Sequence, residues 1–408
     1  MKRIVFKHGR VIDGYQDKPL QDGLVVIDDG TIVYSGNMDE VVLERYQDAH
    51  IVDLSGKTIM PGMIDAHVHL TLAGEPSYLQ TLIMEDAKLT VIKGIERAKK
   101  ALNAGFTTIR CLGEKGQIDV YIKKAIEEGV IVGPNILASG KAITITGGHG
   151  DMFPGDIEID GIATIVDGED AVRTATRKQL KLGVDNIKLM ATGGGMSPGD
   201  ARISQLTITE MRVAIEEAEK YGKLTAAHAI GEEGINNALE AGVRTLEHGT
   251  YISDKGIGII QKTGAYLVPT LAAFKTLKYG KEGGVPEYHL KKVQAFKDAH
   301  FINLRKALDA GVKVITGTDA GTPFNLHGEN AYELECLVEA GMAPMQAIHA
   351  ATRVAAEALK LEDKGMLKEG YVADLIIIDG NPLDDITILQ QGKVEQVYKQ
   401  GDLVYNQK

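Results

Sequence analysis

Six side chains able to bind metal or carry protons stand at or near the ends of apolar, strand-like runs. His67 and His69 close the run 58–65, and Lys188 lies inside Asn186-Ile187-Lys188-Leu189-Met190. His228 ends Leu224-Thr225-Ala226-Ala227-His228, and His248 ends Thr245-Leu246-Glu247-His248. Asp319 ends Val314-Ile315-Thr316-Gly317-Thr318-Asp319. Charged and imidazole groups at the ends of buried strands are costly unless something pairs with them. Four imidazoles, a carboxylate and an amine converging on one point are best paired by divalent metal.

His67 and His69 are two apart on a strand, so both point to one face. That is a ready-made two-ligand site for Zn²⁺ or a similar ion. A lone His-x-His often only packs; here His228, His248 and Asp319 sit at equivalent heights of other strands. Lys188 is the sharper clue. An ammonium in an apolar interior is expensive, and its pKa falls. A neutral amine can react with CO₂ to give a carbamate, whose two oxygens can bridge two cations. Two metals ~3.5–4 Å apart would then share a hydroxide as nucleophile. On the residues alone, a Lys188 paired with a nearby acid, or snorkelling outward, stays open.

These groups need a scaffold. With 408 residues the chain can bury a large core. Its 44% hydrophobic and 25% charged residues are ordinary for a globular protein. The net charge of -11, from 45 basic and 56 acidic residues, argues against nucleic acid or an acidic membrane surface as partner. Cys111 and Cys336 lack metal-knuckle spacing, so a reducing, cytoplasmic compartment is expected. Polar residues interrupt the first residues before a signal-peptide core forms. No apolar run approaches the ~20 residues of a membrane helix.

Residues 1–57 read as short alternating strands with turn signals such as Asp28-Asp29-Gly30, and residues 365–408 resume that style. The two ends are expected to pair into one small β-sandwich. Between them, residues 58–364 alternate apolar strands with amphipathic helices. Eight strand candidates, 59–69, 106–112, 135–142, 186–192, 224–229, 245–251, 266–271 and 314–319, predict an α/β fold with a (β/α)₈ TIM barrel. Active sites of that fold lie at the C-terminal ends of its strands, where the residues above fall.

The chain resembles the amidohydrolase superfamily over essentially its whole length. Pro61-Gly62-Met63-Ile64-Asp65-Ala66-His67-Val68-His69 resembles the strand-one signature, and Gly365-Met366-Leu367-Lys368-Glu369-Gly370-Tyr371-Val372-Ala373-Asp374-Leu375 the return into the β-sandwich. The resemblance implies two divalent ions, expected to be Zn²⁺. His67, His69 and Asp319 would hold one and His228 and His248 the other, with carboxylated Lys188 bridging. Asp319 would also be the general base on the bridging hydroxide.

Within the superfamily, the chain is similar to prolidase-like dipeptidases and carboxypeptidases related to imidazolonepropionase. Thr144-Ile145-Thr146-Gly147-Gly148-His149-Gly150, Glu247-His248-Gly249 and Gly317-Thr318-Asp319-Ala320-Gly321-Thr322-Pro323 carry this similarity. It implies that His149 polarises the substrate carbonyl. One position departs. Some dipeptidases of this branch carry Tyr two residues beyond the strand-five histidine; here it is Ile230, with Tyr251 a possible substitute. Arg202, in the glycine-rich 193–200 segment, is a candidate partner for a substrate carboxylate, and that segment reads as a rim loop. Thr322, Phe324, His327 and Glu329 are candidates for the pocket wall. His8, His50, His289 and His300 receive no role.

The expected function is hydrolysis of amide bonds in dipeptides or N-acyl amino acids, with a small-molecule substrate and a homo-oligomeric protein. A mononuclear deaminase or cyclic-amide hydrolase is the alternative. It resembles enzymes with His-x-x-Glu after strand five, whereas here Gly231 is third after His228 and Glu232 comes one step late. An inactive scaffold is the third reading, opposed by the presence of all six ligand candidates.

Overall fold

The computed structural model describes residues 3–153, 155, 159–390 and 392–407. Five strands open the chain: β1 (Arg3–Val11), β2 (Leu20–Asp28), β3 (Thr31–Asn37), β4 (His50–Asp53) and β5 (Lys57–Pro61). Nine follow in the middle: β6 (Met63–Val68), β7 (Phe106–Cys111), β8 (Asn135–Leu137), β9 (Ala142–Thr144), β10 (Ala163–Ile165), β11 (Asn186–Met190), β12 (Leu224–Ala229), β13 (Thr245–His248) and β14 (Tyr266–Val268). Then come β15 (Leu375–Asp379), β16 (Val394–Lys399) and β17 (Asp402–Asn406). No described helix is long and apolar enough to cross a membrane.

The two chain ends meet. The strands β17-β16-β15-β5-β1-β2-β3 form one hydrogen-bonded sheet in that order, with β4 also paired to β1. A sandwich of two packed sheets was expected; hydrogen bonding joins all eight strands into one. The sheet curls on itself, because Phe6 of β1 meets Tyr398 of β16 with ring centroids 5.2 Å apart. Three flat strand spacings would separate them by ~14 Å.

The middle strands pair in parallel, as β6-β7-β8 and as β10-β9-β11-β12-β13-β14. Helices alternate with them, for example Glu169–Leu182 before β11 and Ile208–Glu219 before β12. The period of two sorts the side chains. Ile187 and Leu189 of β11, Ala227 and Ala229 of β12 and Leu246 of β13 join the apolar core shared with helix residues Val172, Ala214 and Leu239. The intervening positions, Lys188, His228 and Glu247, belong to the opposite face.

The first expected strand, 59–69, is divided at Gly62 into β5, which pairs with β1 and β15 in the end sheet and so crosses the expected boundary at 57/58, and β6, which pairs with β7. Two others differ. The third, 135–142, is split into β8 and β9. The Asp119 carboxylate accepts the N–H groups of Ser139 and Gly140 at 2.7 and 2.9 Å, replacing ladder bonds there. The eighth, 314–319, makes only isolated bridges, Leu267 with Val314 and Val68 with Ala320. It still bonds to both β14 and β6: Ile315 N–H donates to Leu267 (3.0 Å) and Ala66 N–H to Thr316 (2.9 Å). Asp65 breaks its regularity by accepting from Thr318 N–H (3.0 Å) and Thr318 Oγ1 (2.6 Å).

Candidate metal centre and its pocket

The segment ends bring the predicted ligands together. Asp319 Oδ1 lies 3.1 Å from His69 Nε2 and 3.5 Å from His67 Nε2. Ring centroids are 5.2 Å apart for His67 and His248, 4.5 Å for His248 and His228, and 4.3 Å for His228 and His149. Ligand atoms of His67, His248 and Asp319 all fall within 4.8 Å of one another, close enough for one metal ion.

His248 is reached by backbone strain. Strand alternation would turn it toward the helices with Leu246, but its φ of 68° swings it out of register. Asp319 (φ 60°) and Thr270 (φ 53°) are also left-handed. Such conformations cost non-glycine residues of order 1–3 kcal/mol and cluster at functional sites.

Each ligand histidine has one ring nitrogen committed to a protein partner. His67 Nδ1–H donates to Glu247 Oε2 (2.8 Å), and His69 Nδ1–H to the Gly113 carbonyl (3.0 Å). His228 Nε2–H donates to the Gly193 carbonyl (2.8 Å). Thr270 gives its own hydroxyl hydrogen to Pro269, so it accepts from His248 Nδ1–H at 2.7 Å. In a neutral imidazole the second nitrogen then carries a lone pair. His67 and His69 both turn their second nitrogen toward one Asp319 oxygen, so a cation placed there would have all three as ligands. Partners of this kind fix tautomer and ring orientation in metal sites.

Electrostatics agree with that role. Burial holds His67, His228 and His248 well below the usual imidazole range, so they are neutral. Burial also opposes charge on His69, but Asp319 outweighs it and raises that imidazole. Burial pushes the Asp319 carboxyl up, yet His67, His69 and Lys188 outweigh it and keep it ionised. Lys188, brought down to about 8 by burial, has an Nζ with no hydrogen-bond partner. A buried amine left unpaired fits a carboxylated lysine: as a carbamate it would face cations instead of repelling them.

Sequence reading missed the brace behind His67. Glu247 also takes Arg110 Nη2–H at 3.0 Å and the Thr245 hydroxyl at 2.5 Å, all without solvent contact. The available signal was alternation, since Thr245 and Glu247 share a face of β13.

The pocket beside the cluster is lined by His149, Ile230, Met152, Met196, Phe274 and Phe296 among others. His149 rests on His228 and on Ser197, 2.7 Å from its Nδ1. Ser197 Oγ accepts the Gly150 N–H (3.1 Å) and has its own hydrogen available to give to His149 Nδ1. In that tautomer His149 Nε2 carries the ring proton and is able to donate. Gly194 must be glycine here, because a Cβ would lie 2.3 Å from His149 Cε1. Burial, reinforced by Lys188, brings His149 down to about 3, so it is neutral.

Other candidates are placed elsewhere. Arg202 is exposed, bound to Asp200 at 2.8 Å, and outside the pocket wall. Tyr251 also lies outside that wall and packs against the cluster of Ile230, Val293 and Phe296. Thr322 lines the pocket, whereas Phe324 packs on Tyr279, His327 binds the carbonyls of His69 and Leu72, and Glu329 pairs with Lys275. His289 and His300, given no role, are buried in the wall on the helix Glu287–Asp309.

The amidohydrolase family model matches residues 58–404. The chain is 33% identical to ochratoxinase from Aspergillus niger, over 97% of this chain and 85% of that protein. It superposes on a Xaa-Pro dipeptidase with bound methionine in its active site at a TM-score of 0.90, with 33% identity, covering 99% of this chain and 100% of that one. A prolidase complexed with N-methylphosphonate-L-proline gives a TM-score of 0.90, with 32% identity, covering 100% of both chains. With the histidine–aspartate cluster at the strand ends, these likenesses lead to one conclusion: the chain belongs to the amidohydrolase family, in its prolidase-like branch, and is a hydrolase with a TIM-barrel-type α/β fold.

Proposed function

We propose that the chain is a binuclear metal-dependent hydrolase of the amide bond to a C-terminal amino acid in dipeptides or N-acyl amino acids. The observation that carries this reading is Lys188 Nζ, buried and unpartnered among four imidazoles and a carboxylate. His67, His69 and Asp319 would hold one divalent cation, and His228 and His248 a second. Lys188, carboxylated by CO₂, would lie between them, and Zn²⁺ suits the nitrogen-rich donors. When bound, the cations supply Lewis acidity and lower the pKa of water.

The chain's own residues do the rest. Asp319, kept ionised, takes a proton from the attacking water and returns it to the leaving amine. His149 donates from Nε2 to the carbonyl oxygen as negative charge develops there, a contact worth most in the transition state. Ile230 and its apolar neighbours exclude water. The likeness to a Xaa-Pro dipeptidase supports the leaving-group assignment. The test is incubation of metal-loaded protein with a panel of dipeptides and N-acyl amino acids. Release of the free C-terminal amino acid is expected. If only a lactone, a cyclic imide or an aminated heterocycle is consumed, the peptidase assignment is wrong.

A further inference from the structure

Seven histidines line the pocket: His67, His69, His149, His228, His248, His289 and His300. Six have a ring nitrogen tied to a protein atom. His300, the least obvious of them, lies 3.0 Å from Thr250 Oγ1 through its Nδ1 and stands edge-on to Phe274 at 5.2 Å. His289 differs. Among the described residues neither of its ring nitrogens has a hydrogen-bond partner, although the side chain is only 4% exposed and its Nδ1 is sealed from solvent. Nδ1 is closed off, so the nitrogen free to meet a ligand in the pocket is Nε2, which has no protein partner and is not enclosed in this way.

The surroundings define that ligand. The pocket has two apolar walls. Leu72, Met152 and Ile162 belong to one cluster, and Ile230, Val293 and Phe296 to another. His289 joins them. Its ring meets Tyr78 of the first wall at 6.1 Å, and it lies one helical turn before Val293 of the second. The nearby cations are held by the protein, although Lys292 keeps its charge and a third N–H. Lys292 Nζ donates to the carbonyls of Ser197 (2.6 Å) and Gly194 (3.2 Å), and Arg202 is bound to Asp200. Lys188 belongs to the metal cluster. A carboxylate entering between these walls would find one uncommitted imidazole.

We propose that His289 is the specificity residue that receives the substrate's carboxylate, and that the substrate carries apolar groups on both sides of the scissile amide. This rests on the amide-hydrolase reading above and deepens it. A neutral imidazole N–H donates to the carboxylate, while the two walls take the acyl and leaving-group side chains.

The test separates the two readings by measuring binding and turnover independently. The binding probe is Phe-Leu with its amide reduced to CH₂–NH, which cannot be hydrolysed, as the free acid and as the C-terminal carboxamide. Calorimetry is run on the metal-loaded full chain. The wild type should bind the acid about tenfold more tightly than the carboxamide, the size of one hydrogen bond to a charged group. His289→Leu, of similar bulk, should bring that ratio to within about twofold, and His289→Gln, which keeps a donor, should restore part of it. An unchanged ratio in His289→Leu, or its loss in His300→Leu instead, overturns the assignment. Equal affinity for a Lys-Asp probe of the same design overturns the apolar walls. If Phe-Leu itself is not cleaved while the His289-dependent ratio holds, the amide-hydrolase reading falls and the carboxylate assignment stands.

Discussion

Asp319 faces His69 and His67 through one oxygen, at 3.1 and 3.5 Å, so it can hold a cation and move a proton from one position. Asp319→Asn keeps its shape and removes the acceptor. We expect kcat to fall by at least ~10²-fold, the lower end for general acid–base catalysis, read by steady-state kinetics on the dipeptide panel. His149 is separable from the ligands because its Nδ1 is held by Ser197. His149→Ala should lower kcat by ~10²–10³-fold, the cost of losing one oxyanion donor, with metal content unchanged. Loss of metal in that variant would make His149 a ligand. The ligand candidates were legible in the sequence because their residue types announce their chemistry at strand ends. His289 and His300 were not. On a long amphipathic helix, residue type alone does not say which face meets a pocket.

Elements, rather than single residues, aim the cluster. Thr270 orients His248 and opens the short helical turn Leu271–Phe274, whose first two N–H groups donate to Glu333 at 2.9 and 2.7 Å. Burial raises the Glu333 carboxyl to about 8 from 4.5. Its folded-state pKa lies above its unfolded value, so between pH 4.5 and about 8 the folded chain holds a proton that the unfolded chain has released. The contribution is complete below pH 4.5 and is lost as pH rises toward 8, by up to ~1.4 kcal/mol per pH unit. Glu333→Gln does not titrate, so its stability relative to the wild type should improve from pH 5 to pH 8 in denaturant melts. Parallel stability curves would mean Glu333 is ionised in the folded protein. Strand positions were readable from apolar runs. The break in the third strand and the irregular eighth were not, because Asp119 and Asp65 replace ladder bonds with side-chain contacts from distant segments.

At the scale of the molecule, the chain ends brace the strand that bears His67 and leads into His69. β15 pairs with β5, and only Gly62 separates β5 from β6. A Cβ on Gly62 would lie 2.2 Å from Thr107 Oγ1 of β7, so the join is tight. That the two ends would pair was visible in their shared style of short strands and turns. That they would form one curled sheet was not, because register between segments more than three hundred residues apart leaves no local trace. The central claim concerns the whole assembly of six ligands, and metal content per chain tests it most directly. Protein purified without added metal and analysed by mass spectrometry should carry about two divalent ions per chain, and Lys188→Ala should carry fewer than about one and lose turnover. Full occupancy with full turnover in Lys188→Ala, or a wild type active with about one ion, would contradict the binuclear centre.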